Sequence, residues 1–460
     1  MADNAYLRKI LSTIRMKSAS DKFGWSTACA FIIANMIGTG VFTSLGFQLL
    51  STQNLIAILL LWFLGGVIAF CGAASYGELG ASMPRSGGEY HYLSEIYHPL
   101  AGFLGGWVSL VVGFAAPIAL ACIALSSYVC SIFPVINAKL LAIGVLTVIS
   151  LVHAISRTVS GRFQNIFTGA KIVVIIGFII AGFILPAGNF QSLAPSVKSF
   201  SASSVFNTGF AVSLVWVYYA YSGWNAAIYI AGDLKNPQKN LPKALLLSTF
   251  TVTILYLLLN LVFLISTPAA ELTGEVEVGL ISARHIFGEG LGNMMGLIIA
   301  LLLLSSISSM VYVGPRVSQV MGEDYKILGF LKGKSKKDIP LPALLFQYCV
   351  SLLLILTGSF SLVTQYTGIL LSICSLATVA GVIVHRIRRP ELERPYKTWG
   401  YPVTPIIFVI LIACSIFYLV YNDAVTFING EQKAMWMTIM SAGTLLVGVA
   451  VYFANKLIKK

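Results

Sequence analysis

The chain alternates long apolar stretches with short polar or basic connections. Each apolar stretch has about 17 residues or more, enough to cross the hydrocarbon core of a membrane as a helix. Charged residues, proline and glycine bound the stretches, so the pattern predicts a membrane protein with twelve helical spans, numbered here in chain order. The predicted spans are 26–50, 54–77, 98–133, 138–154, 164–186, 206–231, 242–267, 293–322, 341–358, 362–385, 403–422 and 434–455.

Two of the predicted spans contain small residues that interrupt the apolar pattern. In the first span these are Gly38-Thr39-Gly40, and in the sixth span they are Ser222-Gly223 within an aromatic run. A helix broken inside a membrane frees backbone groups that must face a cavity, water or a polar ligand. Glycines taken singly are also common where helices pack closely. Two breaks five spans apart favour a solute site, because these spans would open the two halves of an inverted-repeat fold.

Composition and charge agree with this class. Hydrophobic residues make up 57% of the 460 residues and charged residues 10%, and the mean hydropathy is +0.86. Of 30 Lys and Arg residues, 25 fall in loops on the side of the termini, which predicts that both termini are cytoplasmic. The net charge of +13 is therefore spread over loops and does not predict nucleic-acid binding. The other five cations are Lys139, Lys198, Arg284 and Lys433 on the opposite side and Lys171 inside a span.

Several other classes of function find no support in the sequence. The seven cysteines and five histidines lack metal-ligand spacing, and no phosphate-binding glycine-rich loop is present, so no metal or other cofactor is predicted. No cleavage site precedes the first span, which is expected to remain in the protein. Nothing resembles a channel filter. The chain ends at Lys460 soon after the last span, so the signalling tail of a nutrient receptor is not expected.

Four segments, taken in order, resemble the signatures of one family. The chain is similar over nearly its whole length to the amino acid-polyamine-organocation superfamily, and within it to the L-type amino acid transporter-like permeases. Each segment alone is weak evidence for this family, but all four in order at the expected spans are specific for it. The segments are 37–42 (IGTGVF), 76–79 (YGEL) with 84–90 (PRSGGEY), 219–225 (YAYSGWN) and 235–242 (KNPQKNLP).

The resemblance implies an all-α polytopic membrane fold of twelve transmembrane helices. Two inverted five-helix repeats, with helices 1 and 6 discontinuous, would be followed by two extra C-terminal helices. The expected divisions are a cytoplasmic N-terminal segment at 1–25, the first repeat at 26–205, the second repeat at 206–390, and the last two helices with a short cytoplasmic tail at 391–460.

An amino acid substrate needs donors for its carboxylate and acceptors for its ammonium group, and an opened helix supplies both. The half-helix after the first break points its N-terminal amides at the carboxylate, so we expect Thr39, Gly40 and Val41 to bind it. By resemblance, unwound carbonyls face the ammonium group and Tyr219 is the gate over the substrate. Where the family often has glycine, this chain has Ser222, which favours a slightly smaller pocket. The residues that resemblance adds to the site are Met36, Ile37, Tyr219, Ala220 and Ser222.

Lys171 lies inside the fifth span, where a lysine at mid-membrane costs roughly 2.5–3.5 kcal/mol. Its ammonium group either extends to the interface or serves a function. By resemblance, many sodium-independent members place this lysine where sodium-coupled relatives hold a cation, between spans one and eight. One or two of Ser305, Ser306, Ser308 and Ser309 in span eight are able to hydrogen-bond it. We assign Gly38, Ser305, Ser308 and Ser309 to this cation site, and the sequence does not distinguish among the serines.

The function implied is secondary transport of neutral L-amino acids by alternating access without sodium. Neutral substrates are favoured because no acidic residue lies near either break in the sequence. A permanently charged Lys171 favours exchange of internal for external amino acids, whereas a lysine that sheds its proton would give proton-coupled symport. The sequence leaves both mechanisms open, with a non-transporting amino acid receptor as a third reading.

The expected partners are the amino acid substrate and the lipid bilayer of the cell membrane. Eukaryotic relatives can pair with a glycoprotein through a cysteine after span three, but Cys130 lies in a predicted helix end, so no heavy-chain glycoprotein is expected. On the inner side, Glu78 and Glu89 are candidates to pair with Arg85 or cytoplasmic lysines in a gate. On the outer side, a loop between spans seven and eight is the expected lid, and it carries Glu271, Glu275, Glu277 and Glu289.

Overall fold

The computed structural model describes residues 22–85, 87–155, 161–185, 188–335, 339–431 and 435–459, without the side chains of 161–164 and 459. Most of the expected N-terminal segment and Lys433 therefore lie outside the described residues. Within them the fold is helical, and the only extended pairing is a single bridge between Phe23 and Leu234. The α-helices are α1 Trp25–Met36, α2 Thr39–Ser51, α3 Leu55–Ser82, α4 Glu89–Ile96, α5 Pro99–Val108, α6 Ala115–Cys130, α7 Ala138–Ile155, α8 Gly161–Ile184, α9 Ala194–Ser199, α10 Thr208–Tyr221, α11 Pro237–Ser266, α12 Ala269–Leu272, α13 Val278–Asp324, α14 Leu341–Thr357, α15 Phe360–Arg388, α16 Val403–Ile428 and α17 Trp436–Lys459.

Every predicted apolar span coincides with helix in the described residues. Ten candidate spans there are long and apolar enough to cross a membrane; α10 and α14 are shorter helices. The all-helical, multi-pass class is thus confirmed, while the count of twelve spans stays a prediction. The eighth span differs most from expectation, because α13 begins well before residue 293 and continues through a kink at Gly288.

Side-chain caps fix where several helices begin. The Asn54 side chain accepts hydrogen bonds from the amides of Ile56 and Ala57 at the start of α3. The Asn207 side chain accepts one from Phe210 at 2.8 Å at the start of α10, directly upstream of the second break. Such caps satisfy amides that have no partner inside the helix. They fix the N-terminal ends of α3 and α10.

An aromatic cluster packs α3, α10 and α11 together beside the two breaks. The rings of Trp62 and Tyr256 are 5.5 Å apart, and those of Tyr221 and Tyr256 are 4.9 Å apart. On the other side of α10, the rings of Phe47 and Trp216 stack at 4.6 Å and join it to α2. Edge-to-face and stacked rings add specific geometry to the area that they bury. The broken helices are therefore held by packing on both sides.

The C-terminal ends of α3 and α15 carry a network that differs from the predicted inner gate. Glu78 does not contact Arg85; instead its carboxylate accepts two hydrogen bonds from Arg386, at 2.6 and 2.8 Å. Arg394 lies 3.2 Å from the same carboxylate, and the Thr398 amide donates to it at 2.6 Å. The long separation in sequence between Glu78 and its partners explains why the sequence did not predict this pairing.

Arg85 and the start of α4 make different contacts. The Arg85 side chain donates to Asp324 at 3.3 Å, and the Tyr90 hydroxyl donates to the same carboxylate at 2.6 Å. These contacts tie the segment after α3 to the C-terminal end of α13. Glu89 has other partners, which are described below.

The segment between α11 and α13 packs directly on the outer half of the first span. The Gly274 amide donates to the Gly46 carbonyl at 2.8 Å, and a Cβ at Gly46 would lie 2.2 Å from the Glu275 carbonyl. Glu271 contacts His285 at 2.8 Å, and Glu277 accepts from Ser131 at 3.2 Å. The segment therefore covers α2 closely, while its action as a lid stays a prediction.

We expect Glu78→Ala to lower the free energy of unfolding by about 3–5 kcal/mol, because it leaves buried arginine and amide groups without their carboxylate. The Glu78 side chain is only 1% exposed. Thermal unfolding of the detergent-solubilised protein measures the change. The control is Glu95→Ala, which removes a half-exposed carboxylate 3.8 Å from Arg389 and should change stability by less than about 1 kcal/mol. Equal melting temperatures for the two variants would contradict this role of Glu78.

Candidate functional site

The first span is broken at the position that the sequence predicts. Helix α1 ends at Met36, Gly38 adopts φ −119° and ψ −141°, and α2 starts at Thr39. No side chain caps the start of α2, because the residue at the cap position is Gly38. The amides at the start of a helix form an anion-binding end of the helix. The geometry is therefore suited to hold a carboxylate beside Thr39 and Gly40.

The sixth span is broken at the second predicted position. Helix α10 ends at Tyr221, and the chain then turns through Gly223, whose φ is +95°. A Cβ at Gly223 would lie 2.8 Å from the carbonyl carbon of Asn35 in α1. Glycine is thus required here both by its positive φ and by the close approach of the first span. A 3₁₀ segment, Ala226–Asp233, continues the chain beyond the break.

The two breaks lie against each other. A Cβ at Gly40 would lie 2.3 Å from the Cα of Ala220, so the start of α2 touches the end of α10 through glycine. The hydroxyl groups of Thr39 and Tyr219 are 3.1 Å apart and link the same two helices. The glycine that is expected to bind the carboxylate therefore also sets the spacing between the spans. A larger residue at position 40 would disturb both.

Lys171 reaches the first break from α8. Its side chain is 1% exposed, and Nζ donates to the Ile37 carbonyl at 2.6 Å and to Ser306 Oγ at 2.8 Å. The Ala34 carbonyl lies at 3.5 Å. These contacts leave no room for the alternative in which the ammonium group extends to the membrane interface. The lysine Nζ instead donates to carbonyls that the break has freed.

Ser306 is the serine of the eighth span that contacts Lys171, and it also donates toward the carbonyls of the break at 3.1 Å. The other three expected serines bond elsewhere. Ser305 donates to the Leu302 carbonyl, Ser308 pairs with His153, and Ser309 accepts from Asn35. Successive residues of a helix point in different directions, so the packing of the neighbouring helices decides which of these serines meets Lys171.

Tyr256 of α11 is a site residue that the sequence analysis missed. Its hydroxyl lies 2.5 Å from the Met36 carbonyl and 3.1 Å from the Ala220 carbonyl. One hydroxyl group therefore bridges the freed carbonyls of both breaks. Tyr256 sits in an ordinary apolar helix without a motif, so no local signal in the sequence could have identified it.

A small cavity of about 10 Å³ lies between the breaks, with room for about one water molecule. The seven predicted residues that line it come from both spans. Ile37 and Val41 do not line it; the Ile37 carbonyl is bonded to Lys171, and the Val41 side chain is fully buried. An amino acid would need more space than this cavity offers, so the two spans would have to move apart to hold one. The lining residues that were predicted are Met36, Gly38, Thr39, Gly40, Tyr219, Ala220 and Ser222.

A second cavity of about 50 Å³ adjoins the first on the side of the sixth span. Asn35 and Ser222 line both cavities, and the 3₁₀ segment with its preceding turn forms one wall of the second. Its other walls come from spans three, eight and ten, for which the sequence offered no motif. A π-helical turn, Ser109–Gly113, ends at the first residue of the third span that lines this cavity. The lining from these three spans is Gly113, Phe114, Pro117, Met310, Leu371 and Ser375.

We expect Tyr256→Phe to weaken amino acid binding by about 1–3 kcal/mol, because two buried carbonyls lose their shared donor. Equilibrium binding of labelled neutral amino acids to the purified protein measures this. The matched control is Tyr221→Phe, whose hydroxyl donates to the Trp62 carbonyl at 3.0 Å and contacts neither break. The bridging role would be refuted if both variants bound like the unaltered protein.

Comparison with known proteins agrees with this geometry. A family model described as amino acid permease matches residues 23–451. The b(0,+)-type amino acid transporter 1 of Mus musculus is 30% identical over 87% of this chain and 82% of its own length. The Large neutral amino acids transporter small subunit 2 of Mus musculus is 28% identical over 95% of this chain and 82% of its own. The Asc-type amino acid transporter 1 of Rattus norvegicus is 28% identical over 94% of this chain and 80% of its own length. The chain therefore belongs to the amino acid permease family of the amino acid-polyamine-organocation superfamily, and it is a multi-pass membrane protein of amino acid transport, not an enzyme.

Proposed function

We propose that this permease is a sodium-independent exchanger of neutral L-amino acids that works by alternating access. The observation that carries the proposal is the Lys171 ammonium group, held at 2.6 Å by the Ile37 carbonyl and at 2.8 Å by Ser306. Carbonyl and hydroxyl oxygens are the ligands that Na⁺ would use between these helices. A buried ammonium group in their midst makes a sodium ion at this position unnecessary.

Exchange is favoured over proton-coupled symport by the partners of this lysine. Burial by itself favours the neutral amine, whereas short hydrogen bonds to oxygen acceptors favour the charged form. Three oxygens face Nζ within 3.5 Å. A charge held in this way remains on the lysine through the cycle, and no proton needs to accompany the substrate. Symport through proton release from Lys171 is the second candidate mechanism.

Neutral substrates are favoured by the walls of the two cavities. None of the described residues that line either cavity is charged. The polar lining groups are amides, hydroxyls and freed backbone, which suit the α-carboxylate and α-ammonium groups. The aromatic and apolar lining of the larger cavity suits an uncharged side chain. Ser222 lines both cavities, so its hydroxymethyl group limits the space where they meet.

The same proposal includes the architecture and orientation that the sequence predicts. Twelve spans, with inverted repeats at 26–205 and 206–390 and two further helices in 391–460, account for breaks in the first and sixth spans. Both termini are proposed to be cytoplasmic and the membrane to be the cell membrane, because of the Lys and Arg distribution. This orientation places the network around Glu78 and Arg386 on the cytoplasmic side.

The expectation that no heavy-chain glycoprotein is needed finds no support in the comparisons. The name of one relative, Large neutral amino acids transporter small subunit 2, describes that protein as a subunit. In this chain Cys130 is the last residue of α6, partly exposed, with its Sγ 3.2 Å from the Ile136 carbonyl. Whether this chain has such a partner is therefore left open by the proposal.

The first test is uptake of a labelled mixture of neutral L-amino acids into proteoliposomes. We expect uptake only when unlabelled amino acids are present inside, with no change when Na⁺ is replaced by K⁺. Liposomes without protein are the control. Uptake into vesicles without internal amino acid, driven by an inward proton gradient, would replace exchange by symport; a requirement for Na⁺ would overturn the role given to Lys171.

The second test separates Ser306 from its neighbour in the same helix. We expect Ser306→Ala to lower apparent substrate affinity by about 1.5–3 kcal/mol, because the ammonium group loses a buried hydrogen-bond acceptor. Ser308→Ala, which affects the contact with His153 instead, should leave exchange near normal. Concentration dependence of exchange in proteoliposomes gives both values. Equal effects of the two substitutions would remove the specific role of Ser306.

A further inference from the structure

Glu89 is a buried carboxylate at the first turn of α4, between the second and third spans. The residue is 2% exposed, and Oε1 accepts from the Tyr76 hydroxyl at 2.5 Å, from Asn225 Nδ2 at 3.2 Å and from Ser375 Oγ at 3.4 Å. The donors belong to α3, to the turn after the second break and to α15. Four separate elements of the fold thus meet at one carboxyl group.

Among the described residues, no cation pairs with this carboxylate. In the described part of the chain Glu89 forms no ion pair, whereas the equally buried Glu78 is paired with Arg386 and Arg394. Burial raises the pKa of Glu89 to about 7, although its three hydrogen-bond donors act in the opposite direction. The titratable groups that face Glu89 all carry no charge in their ordinary forms at neutral pH. They are Tyr76, Tyr92, Tyr218, Tyr229 and Cys374.

The Glu89 site is joined to the substrate site by its own donors. Asn225 and Ser375 form part of the wall of the 50 Å³ cavity, and Ser222 and Asn35 form another part. The Tyr76 ring packs edge-on against Trp224 at 4.6 Å, in the turn that follows the second break. A movement of this turn would therefore alter the surroundings of Glu89 directly.

We propose that Glu89, Tyr76, Asn225 and Ser375 form a proton-binding site that links cytoplasmic pH to the movement of the sixth span. This inference rests on the proposed alternating-access function. When the turn carrying Asn225 withdraws, water reaches Glu89 and the carboxyl group gives its proton to that water. When the turn packs again, the carboxylate takes a proton back from the cytoplasm. No co-reactant other than water is needed.

The direction of the pH effect follows from the two environments of Glu89, one packed and one hydrated. The packed state binds the proton more tightly than the hydrated state, whose carboxyl group has its ordinary, lower pKa. Above pH 7 the packed state must bury a charged carboxylate and is disfavoured. As the pH falls from 7 toward the ordinary range of a carboxyl group, the packed state gains stability. Acid pH therefore favours the closed cytoplasmic side.

The experiment measures exchange of labelled neutral L-amino acids by the full-length protein in proteoliposomes, with the same pH on both sides. Because no proton gradient exists, net uptake driven by protons does not contribute to the signal. We expect the exchange rate to change with a midpoint near pH 7 in the unaltered protein. Glu89→Gln should show no such midpoint. Glu95→Gln, an exposed acid on the same helix, should keep it.

A second measurement does not depend on transport. Infrared difference spectra of the purified protein across pH 7 should show the loss of a protonated carboxyl band, and Glu89→Gln should lack that band. Tyr76→Phe, which removes a donor that lowers the pKa of Glu89, should move the midpoint to higher pH. A midpoint that persists in Glu89→Gln, or a Tyr76→Phe midpoint that does not rise, would overturn the inference. Absence of exchange with the band present would refute the proposed function and leave the proton site standing.

Discussion

The need to satisfy freed backbone carbonyls inside the membrane governs the centre of this protein. The break after α1 removes helical hydrogen bonds where lipid offers no replacement. The Ile37 carbonyl receives the Lys171 ammonium group and the Ser306 hydroxyl, and the Met36 carbonyl receives the Tyr256 hydroxyl. Donors from three other helices therefore stabilise the break, which ties the first span to α8, α11 and α13. Any motion of the first span must carry these donors along or exchange them for substrate or water.

Close packing through glycine makes the two breaks a single unit. Gly40 brings α2 onto Ala220, and Gly223 brings the turn after α10 onto Asn35. Each contact leaves no space for even a Cβ, so neither span can rotate against the other without separating from it. The cavity between them holds about one water molecule. In the proposed cycle this contact opens, and the carboxylate and ammonium groups of an amino acid replace contacts that the breaks now make with each other.

Local patterns in the sequence were sufficient to predict the helices and their breaks. They were not sufficient to predict which side chains of different helices meet. Small residues located both breaks, and the isolated charge of Lys171 pointed to its contacts with the first break, because each violates a rule of apolar helices. Tyr256 violates no such rule, and four neighbouring serines differ only in the direction that each faces. The contacts of Glu78 with Arg386, and of Glu89 with Ser375, span about 300 residues of sequence. Such pairings depend on how the helices pack. No local motif in the sequence indicates this packing.

Glu78 and Glu89, two acids of similar burial, show how environment divides their roles. Glu78 has two arginines and a backbone amide around its carboxylate, so its charge is compensated and its removal would leave several donors without a partner. Glu89 has only neutral donors, so its charge is tolerated but not compensated. The first arrangement holds α3 to the end of α15 in a fixed position. The pH response proposed for the second involves its donor Asn225, which lies two residues after Gly223 in the turn that follows the second break. A titratable group is thus placed beside this break, and a permanent ion pair at the ends of α3 and α15.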